Sequence, residues 1–460
     1  MRTSSLIGNK NFYRMVLAVA VPIMIQNGIT NFVSLLDNIM VGQVGTEQMS
    51  GVAIVNQLIF VYNLCIFGGL SGAGIFTAQF YGQGNDEGIR HTFRFKIWIG
   101  FLVTLVALLI FGFGMEPLIR LYLHESGEAG NIENALFFAK QYLRMMLVGL
   151  IPFCLVQIYA STLRETGETV LPMKAGILAV FVNMCLNYIL IFGKLGFPAL
   201  GVTGAAIATV TSRFVECGIV LIWTHCHKSL HPYIEGIYRT LKLPRRLTGQ
   251  IICKGMPLLV NEGLWSAGMA VLMQCYSIRG LDVVAGMNIS STLVNLFNVV
   301  FLALGTSISI LVGQQLGAGK MEETKDMDKK MIFFSVICST CLALVLAVVA
   351  PLFPKIYNTT DEIRRLACDF LWIAALFMPQ HAFMNAAYFT LRSGGKTLIT
   401  FAFDSLCTWV LNIPLAFVLS RYTGLSIFWV YFLCQAIDLF KSGLGFYLVK
   451  KGVWIHRIVE

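Results

Sequence analysis

The sequence predicts an all-α integral membrane protein of twelve transmembrane helices in two six-helix lobes, and three observations predict it. The first is composition. Of 460 residues 57% are apolar and only 13% charged, with a mean hydropathy of +0.73, against roughly half and a quarter in a soluble globular chain. The second is spacing, because apolar blocks long enough to cross a bilayer, at about 20 residues each, recur along the whole chain. They leave no room for a large ectodomain or a tethered soluble enzyme. The third is an internal repeat, in which the second half of the chain restates the first.

The blocks are continuous rather than alternating, so they read as helices and not as the strands of an outer-membrane barrel. A polar start runs straight into a full-length span, so no cleavable signal is expected. Spans are predicted at 14–39, 51–80, 97–116, 134–160, 170–192 and 200–224, in a first lobe covering 1–224. A basic linker at 225–252 follows. The second lobe, 253–460, holds spans at 253–276, 284–316, 331–352, 366–391, 398–420 and 426–449.

Net charge is +10, and its placement explains it. Alternate loops gather the basic residues, among them Arg90, Arg94 and Lys96, then Arg164 and Lys174, then Arg239 to Arg246, then Lys320 to Lys330. By the positive-inside rule, both termini and the linker lie in the cytoplasm and the chain is a multi-pass protein of the plasma membrane. Nucleic acid is therefore not an expected partner, and no obligate protein partner is inferred. Membrane lipid is.

The twelve cysteines lie almost entirely within spans, where a thiol packs as a small apolar group, so no disulfide framework follows. Cys338 and Cys341 form a CxxC inside an apolar helix with no basic neighbour, which reads as packing. His225, Cys226, His227 and His231 are ligand types in a loop beside Lys228, and no metal site is assigned to them.

Sliding the chain by 235 residues aligns 22–87 with 257–322 without a gap. Pro22 falls on Pro257, Gly28 on Gly263, Gly51 on Gly286, Gln79 on Gln314, Gly82 on Gly317 and Gly84 on Gly319. Matches at glycine, proline and glutamine are not what a bias toward Leu and Val would generate. A second register, at 228, aligns Leu163-Arg164 with Leu391-Arg392, Gly167 with Gly395, Thr169 with Thr397 and Arg213 with Lys441. An offset spanning an even number of helices makes the lobes parallel repeats, which usually enclose a central cavity. Pro22 and Pro257 each remove a backbone hydrogen bond within a span, as a moving hinge or as a static kink.

Residues 22–45, 183–205 and 257–268, with the LR-x-x-G-x-T turn of each half, resemble the multidrug and toxic compound extrusion (MATE) family over essentially the whole chain. The resemblance implies a V-shaped pair of six-helix lobes that exports organic, often cationic, compounds in exchange for sodium ions or protons. It implies no resident cofactor beyond that transported ion.

Charged groups inside spans cost about 2.5–3.5 kcal/mol each and are functional candidates by default. Asp37 lies in the outer half of span 1, with Asn27, Asn31, Ser34 and Asn38 nearby in sequence, at the place where one branch of the family has an ion- or proton-binding aspartate. Asn183 and Asn187 share a face of span 5. That branch has an aspartate at the second of these positions, so its two-carboxylate site is in question here, and sodium would be held by one carboxylate with amide and hydroxyl oxygens. Glu262 lies about 12 Å into span 7, with no basic residue within a turn. Another branch has a glutamate about one turn further along. His381 stands about 16 Å in from the Arg392 turn, where some relatives have an aspartate. It can take a proton, or hydrogen-bond Gln380 or Asn385. Asp404 is a weaker candidate. Arg213 with Glu216, and Asp438 with Lys441, read as neutralised pairs.

The expected function is a secondary active antiporter for small organic cations, working by alternating access around a cavity between the lobes. That cavity would be lined by Asn56, Gln57, Tyr62, Asn63, Trp265, Met269, Met273, Asn295 and Asn298, a polar, aromatic and Met-rich set able to repack around many shapes. A flippase for lipid-linked sugar precursors is the alternative, and it would be expected to line its cavity with several basic residues. An intramembrane enzyme using Glu262 and His381 lacks any converging nucleophile, base and oxyanion donors.

Overall fold

A computed structural model describes residues 6–123 and 129–459. Among them are twelve helices long and apolar enough to cross a membrane. In the first repeat these are α1 (Lys10–Gly42), α2 (Thr46–Gln83), α3 (Asp86–Phe113), α5 (Ala129–Glu165), α6 (Val170–Phe192) and α7 (Gly201–Cys226), with a short α4 (Met115–Leu123) after α3. In the second they are α8 (Arg245–Ser277), α9 (Leu281–Gly317), α10 (Met321–Val349), α11 (Asp361–Ser393) and two composite spans. The first composite joins α12 (Thr397–Phe401), two π-helical turns (Ala402–Leu406 and Thr408–Asn412) and α13 (Ile413–Tyr422); the second joins α14 (Ile427–Ala436) and α15 (Asp438–Lys451).

Span count matches expectation, but several helices outrun their apolar blocks. α3 begins at Asp86 rather than near 97, because acidic Asp86 and Glu87 suit a helix N-terminus and Arg90, Arg94 and Lys96 find polar partners along its side. α2 runs 38 residues, about 57 Å at 1.5 Å per residue, well beyond the apolar thickness. The α2, α5 and α9 spans are 61% buried, whereas most others are 22–33%. That difference identifies the central helices of each repeat.

Contacts divide the chain into two compact units that do not follow the contiguous cut at 224 and 253. One unit takes 25–77 and 86–251. The other takes the residues up to 24, 78–85, and those from 252 onward. Packing supplies the reason. Val16, Val19, Ala20 and Ile23 of α1 join a core with Leu304, Ile308, Leu391, Phe403 and Trp454. The end of α2 meets the end of α9 at Gly82 and Gly317, where an added Cβ would lie 1.8 Å from the Gln314 carbonyl oxygen and 1.9 Å from that of Gln79. Only glycine permits such backbone approach.

The linker belongs to the first-named unit because α3 holds it. Arg94 donates to the carbonyls of Ile237 (2.9 Å) and Gly236 (3.0 Å), Arg90 to that of Tyr233 (3.2 Å), and Trp98 to that of Leu241 (3.2 Å). These arginines, counted in the sequence as loop charges, are clamps. Lys96 is no loop charge either. It is fully buried, donating to Ser161, Thr162 and Glu165 at 3.1, 3.0 and 2.5 Å. Repeat geometry persists in the turns: Gly84 and Gly319 have φ of 72° and 76°, and Gly167 and Gly395 have 90° and 72°. Pro22 and Pro257 both sit inside their helices.

Candidate functional site

Asp37, Asn183 and Asn187 come together in one unit. Asn183 and Asn187, one turn apart on α6, are both buried and aim their amides at α1. Asn187 Nδ2 donates to Asp37 Oδ1 at 2.5 Å. The Asn183 amide is best satisfied with Nδ2 toward Asp37 Oδ1 (3.1 Å) and Oδ1 accepting from the Thr209 hydroxyl of α7 (3.2 Å). Asn187 Oδ1 is buried without a donor. One carboxylate, amide oxygens and a hydroxyl within reach can hold a proton or a small hard cation. The side chains of Ser34 and Asn38 lie outside the described residues. Tyr142 stands within electrostatic range of Asp37 and of Arg213, and the Arg213 guanidinium lies over the Phe153 ring at 4.4 Å.

Glu262 and His381 fall in the other unit, joined by residues that sequence reasoning placed lower. Half-buried Glu262 on α8 is faced electrostatically by Arg392 of α11 and by Asp404. The basic group near it thus comes from another helix rather than from its own turn. Its neighbour Asn261 is buried, donating to Asp404 Oδ2 at 3.0 Å. Ser405 Oγ in turn donates to Asn261 Oδ1 at 2.6 Å. His381 Nε2 stands 4.0 Å from Asp438 Oδ2, so its nearest charged partner lies on α15. Lys441 Nζ lies 3.8 Å from Asp438 and 4.0 Å from Asp404.

Asn261 reads in the sequence only as a polar neighbour in the turn of Glu262, and its link to Asp404 was missed, although the 235 register already sets it opposite Gln26. Lys96 with Glu165, and Asp328 with Thr390, were missed for a different reason. Their partners lie 69 and 62 residues apart, beyond any helical periodicity.

The expected cavity lining divides. Tyr62 is a correction: at 2% exposure it is core, its hydroxyl pairing with Thr104 Oγ1 (2.9 Å) and donating to the Leu150 carbonyl (3.1 Å). Tyrosine in an apolar interior stays where both its ring and its hydroxyl are satisfied, and α3 and α5 satisfy them. Asn56, Gln57, Trp265, Met269 and Asn295 are exposed, while Asn63, Met273 and Asn298 are half-buried.

Two repeated six-helix sets with buried carboxylates on several spans define a multi-pass membrane carrier. A model of the family described as MatE matches residues 22–189 and 257–418, two blocks that begin at Pro22 and Pro257, and the chain belongs to that family. It is a membrane transporter and not an enzyme. Among curated proteins it is similar to the probable multidrug resistance protein NorM of Thermotoga maritima, with 26% identity over 450 residues, 96% of this chain and 93% of that one. It is also similar to the probable multidrug resistance protein YoeA of Bacillus subtilis, with 25% identity over 448 residues, 96% of this chain and 94% of that one. Its fold is similar to the Vibrio cholerae MATE transporter VcmN, with a TM-score of 0.86 at 17% identity over 96% of this chain and 97% of that one. A MOP superfamily transporter from Pyrococcus furiosus gives 0.84 at 19% identity over 98% of each chain.

Proposed function

We propose that this chain is a secondary active exporter of small organic cations, driven by a sodium or proton gradient through alternating access. It would reside in the plasma membrane with both termini in the cytoplasm. The Asp37 cluster carries the reading. A carboxylate within a span costs about 2.5–3.5 kcal/mol when charged, and here two amides orient it without neutralising it. A proton or a sodium ion would neutralise it, and losing that ion on one side of the membrane would restore the charge. The relatives named as multidrug resistance proteins support organic substrates. Basic groups in the spans face carboxylates, Lys441 with Asp404 and Asp438 and Arg164 with Glu216, which favours cations over an anionic lipid-linked sugar.

The test is purified protein in liposomes, with efflux of an ethidium-like dye driven by a sodium gradient and, separately, by a proton gradient. At least one gradient is expected to drive efflux. Failure of both, with flipping of an anionic lipid-linked sugar, overturns the proposal. Asp37→Asn is expected to abolish or strongly reduce coupling, and Asn187→Asp to alter ion preference while the protein still folds. Unchanged gradient-driven efflux in Asp37→Asn would remove Asp37 from the mechanism.

A further inference from the structure

The connection between the third and fourth spans handles its charge differently in the two repeats. In the first, Arg120 donates to Glu116 at 3.0 Å and to Glu133 at 3.1 Å, and Lys140 donates to Glu116, so each of these cations is bonded to a carboxylate. In the second, between α10 and α11, Arg364 is bonded in the same way, to Asp361 at 2.9 Å and to the Tyr357 carbonyl at 3.0 Å. Lys355 and Arg365 are exposed. Among the described residues neither is hydrogen-bonded to a carboxylate, and Asp369, one turn past Arg365, faces it only electrostatically.

These side chains line one cavity of about 620 Å³, where Lys355, Arg364 and Arg365 stand with Asp361 and Asp369. One positive charge is left over. Trp372 lines the same cavity from further along α11, about 16 Å from the start of the helix, whereas Arg365 lies about 6 Å in. Its indole is 49% exposed and donates to the Ala347 carbonyl of α10 at 3.2 Å. The ring thus lies across the seam between α10 and α11. Val348, next to that carbonyl, is 70% exposed, and Leu376, one turn past the tryptophan, is 64% exposed. Cations near a span end, a tryptophan below them and open apolar side chains beside it correspond to the parts of one amphipathic ligand.

We infer that this cavity binds an anionic phospholipid of the phosphatidylglycerol type, with the phosphate between Lys355 and Arg365 and an acyl chain over Trp372 along α10 and α11. A single phosphodiester charge neutralises the cavity, whereas a zwitterionic headgroup brings no net charge to it. The guanidinium fork suits phosphate oxygens, basic residues near a membrane surface attract anionic lipid, and tryptophan favours the depth between headgroup and chain. A soluble phosphate ester would satisfy the cations but leave Trp372, Val348 and Leu376 without a partner. The site uses none of the residues assigned to ion coupling, so it stands whether or not the transport reading does.

The test is quenching of Trp372. Full-length protein is placed in phosphatidylcholine nanodiscs containing increasing mole fractions of phosphatidylglycerol brominated on its acyl chains or, separately, of equally brominated phosphatidylcholine. The Trp372 signal is the difference between the wild type and Trp372→Phe. Half-maximal quenching is expected at about one-fifth of the mole fraction for the anionic lipid, the preference that one unneutralised basic residue gives near a membrane surface. Lys355→Gln with Arg365→Gln should bring the two lipids level, and Lys355→Arg with Arg365→Lys should keep the preference. Equal quenching by both lipids in the wild type, or a preference that survives the Gln pair, overturns the inference. So does loss of the preference when glycerol phosphate is added in millimolar excess, which would mark a site for soluble anions. Size-exclusion profiles identify a Gln pair that fails to fold. Lys355→Gln alone, on an exposed turn, then carries the decision through an expected loss of about half the preference or more.

Discussion

The two repeats share a backbone and place their buried charge differently. In the first, fully buried Lys96 of α3 bridges Thr162 and Glu165 of α5. In the second, equally buried Asp328 of α10 accepts from Thr390 at 2.6 Å, and Thr390 is the residue that the 228 register aligns with Thr162. Ser393 stands where Glu165 stands. A second seam repeats the theme. Gln26 and Asn261 are equivalent amides and Arg164 and Arg392 equivalent guanidiniums. The carboxylates near the first pair are Glu165 of α5 and Glu216 of α7, whereas near the second they are Glu262 of α8 and Asp404 of the π-segment. Gly176, at the position of Asp404, leaves room that a side chain would take from Gln26 and Glu216. Neutrality belongs to a cluster rather than to a position, so a compensating residue can move among helices provided it reaches the same place.

The largest effect should come from breaking the first seam. Lys96→Ala removes the buried ammonium that pairs with Glu165, and losing one partner of such a pair costs about 3–5 kcal/mol. A marked fall in melting temperature or in monodisperse yield is expected. Lys96→Met with Glu165→Leu should recover most of it, since apolar replacement of a whole buried pair is often near neutral. Asp328→Asn keeps an acceptor for Thr390 and should cost less than about 1 kcal/mol. Equal losses at Lys96 and Asp328 would break the comparison.

Of middle size is the shared backbone. Gly82→Ala and Gly317→Ala each force a methyl against a facing carbonyl, and overpacking of this kind costs about 1–3 kcal/mol. Matching shifts would sharpen the repeat, and a one-sided shift would mean that the two helix ends are not equivalent.

The smallest effect separates the segments that follow the sixth span of each repeat. The linker is fastened partly by buried His231, which packs on Tyr233 and Trp223, and burial lowers its pKa below the usual 6.5. The folded state therefore resists a proton that the unfolded state accepts. Its contribution is whole above 6.5 and is lost as pH falls toward the lower folded value. The C-terminal tail is fastened instead by buried Trp454 and by Gln79, whose Oε1 accepts from Ile458 N at 2.8 Å. Limited proteolysis should show the linker, before the tail, becoming accessible as pH drops below 6.5, and His231→Phe should remove that dependence.

Some of the candidate site was legible in advance. Asp37, Asn183 and Asn187 could be grouped because i, i+4 spacing places two amides on one face and the resemblance to the family implies an ion- or proton-binding set at these places. Tyr62 could not be assigned, since a tyrosine on a long helix looks alike whether it faces a cavity or the Thr104 hydroxyl. Arg90 and Arg94 of α3 misled for a related reason: a basic residue near a span end has one composition signal and several possible partners.

Composition and spacing by themselves determined the membrane environment, the twelve spans and the duplication, because hydrophobic length and the glycine and proline that backbones require are local properties written position by position. Which charges neutralise one another was decided only by the tertiary structure. Lys96 with Glu165 and Asn261 with Asp404 are 69 and 143 residues apart. Electrostatic compensation in a low-dielectric interior depends on distances of a few ångströms between helices, and no local pattern encodes those distances.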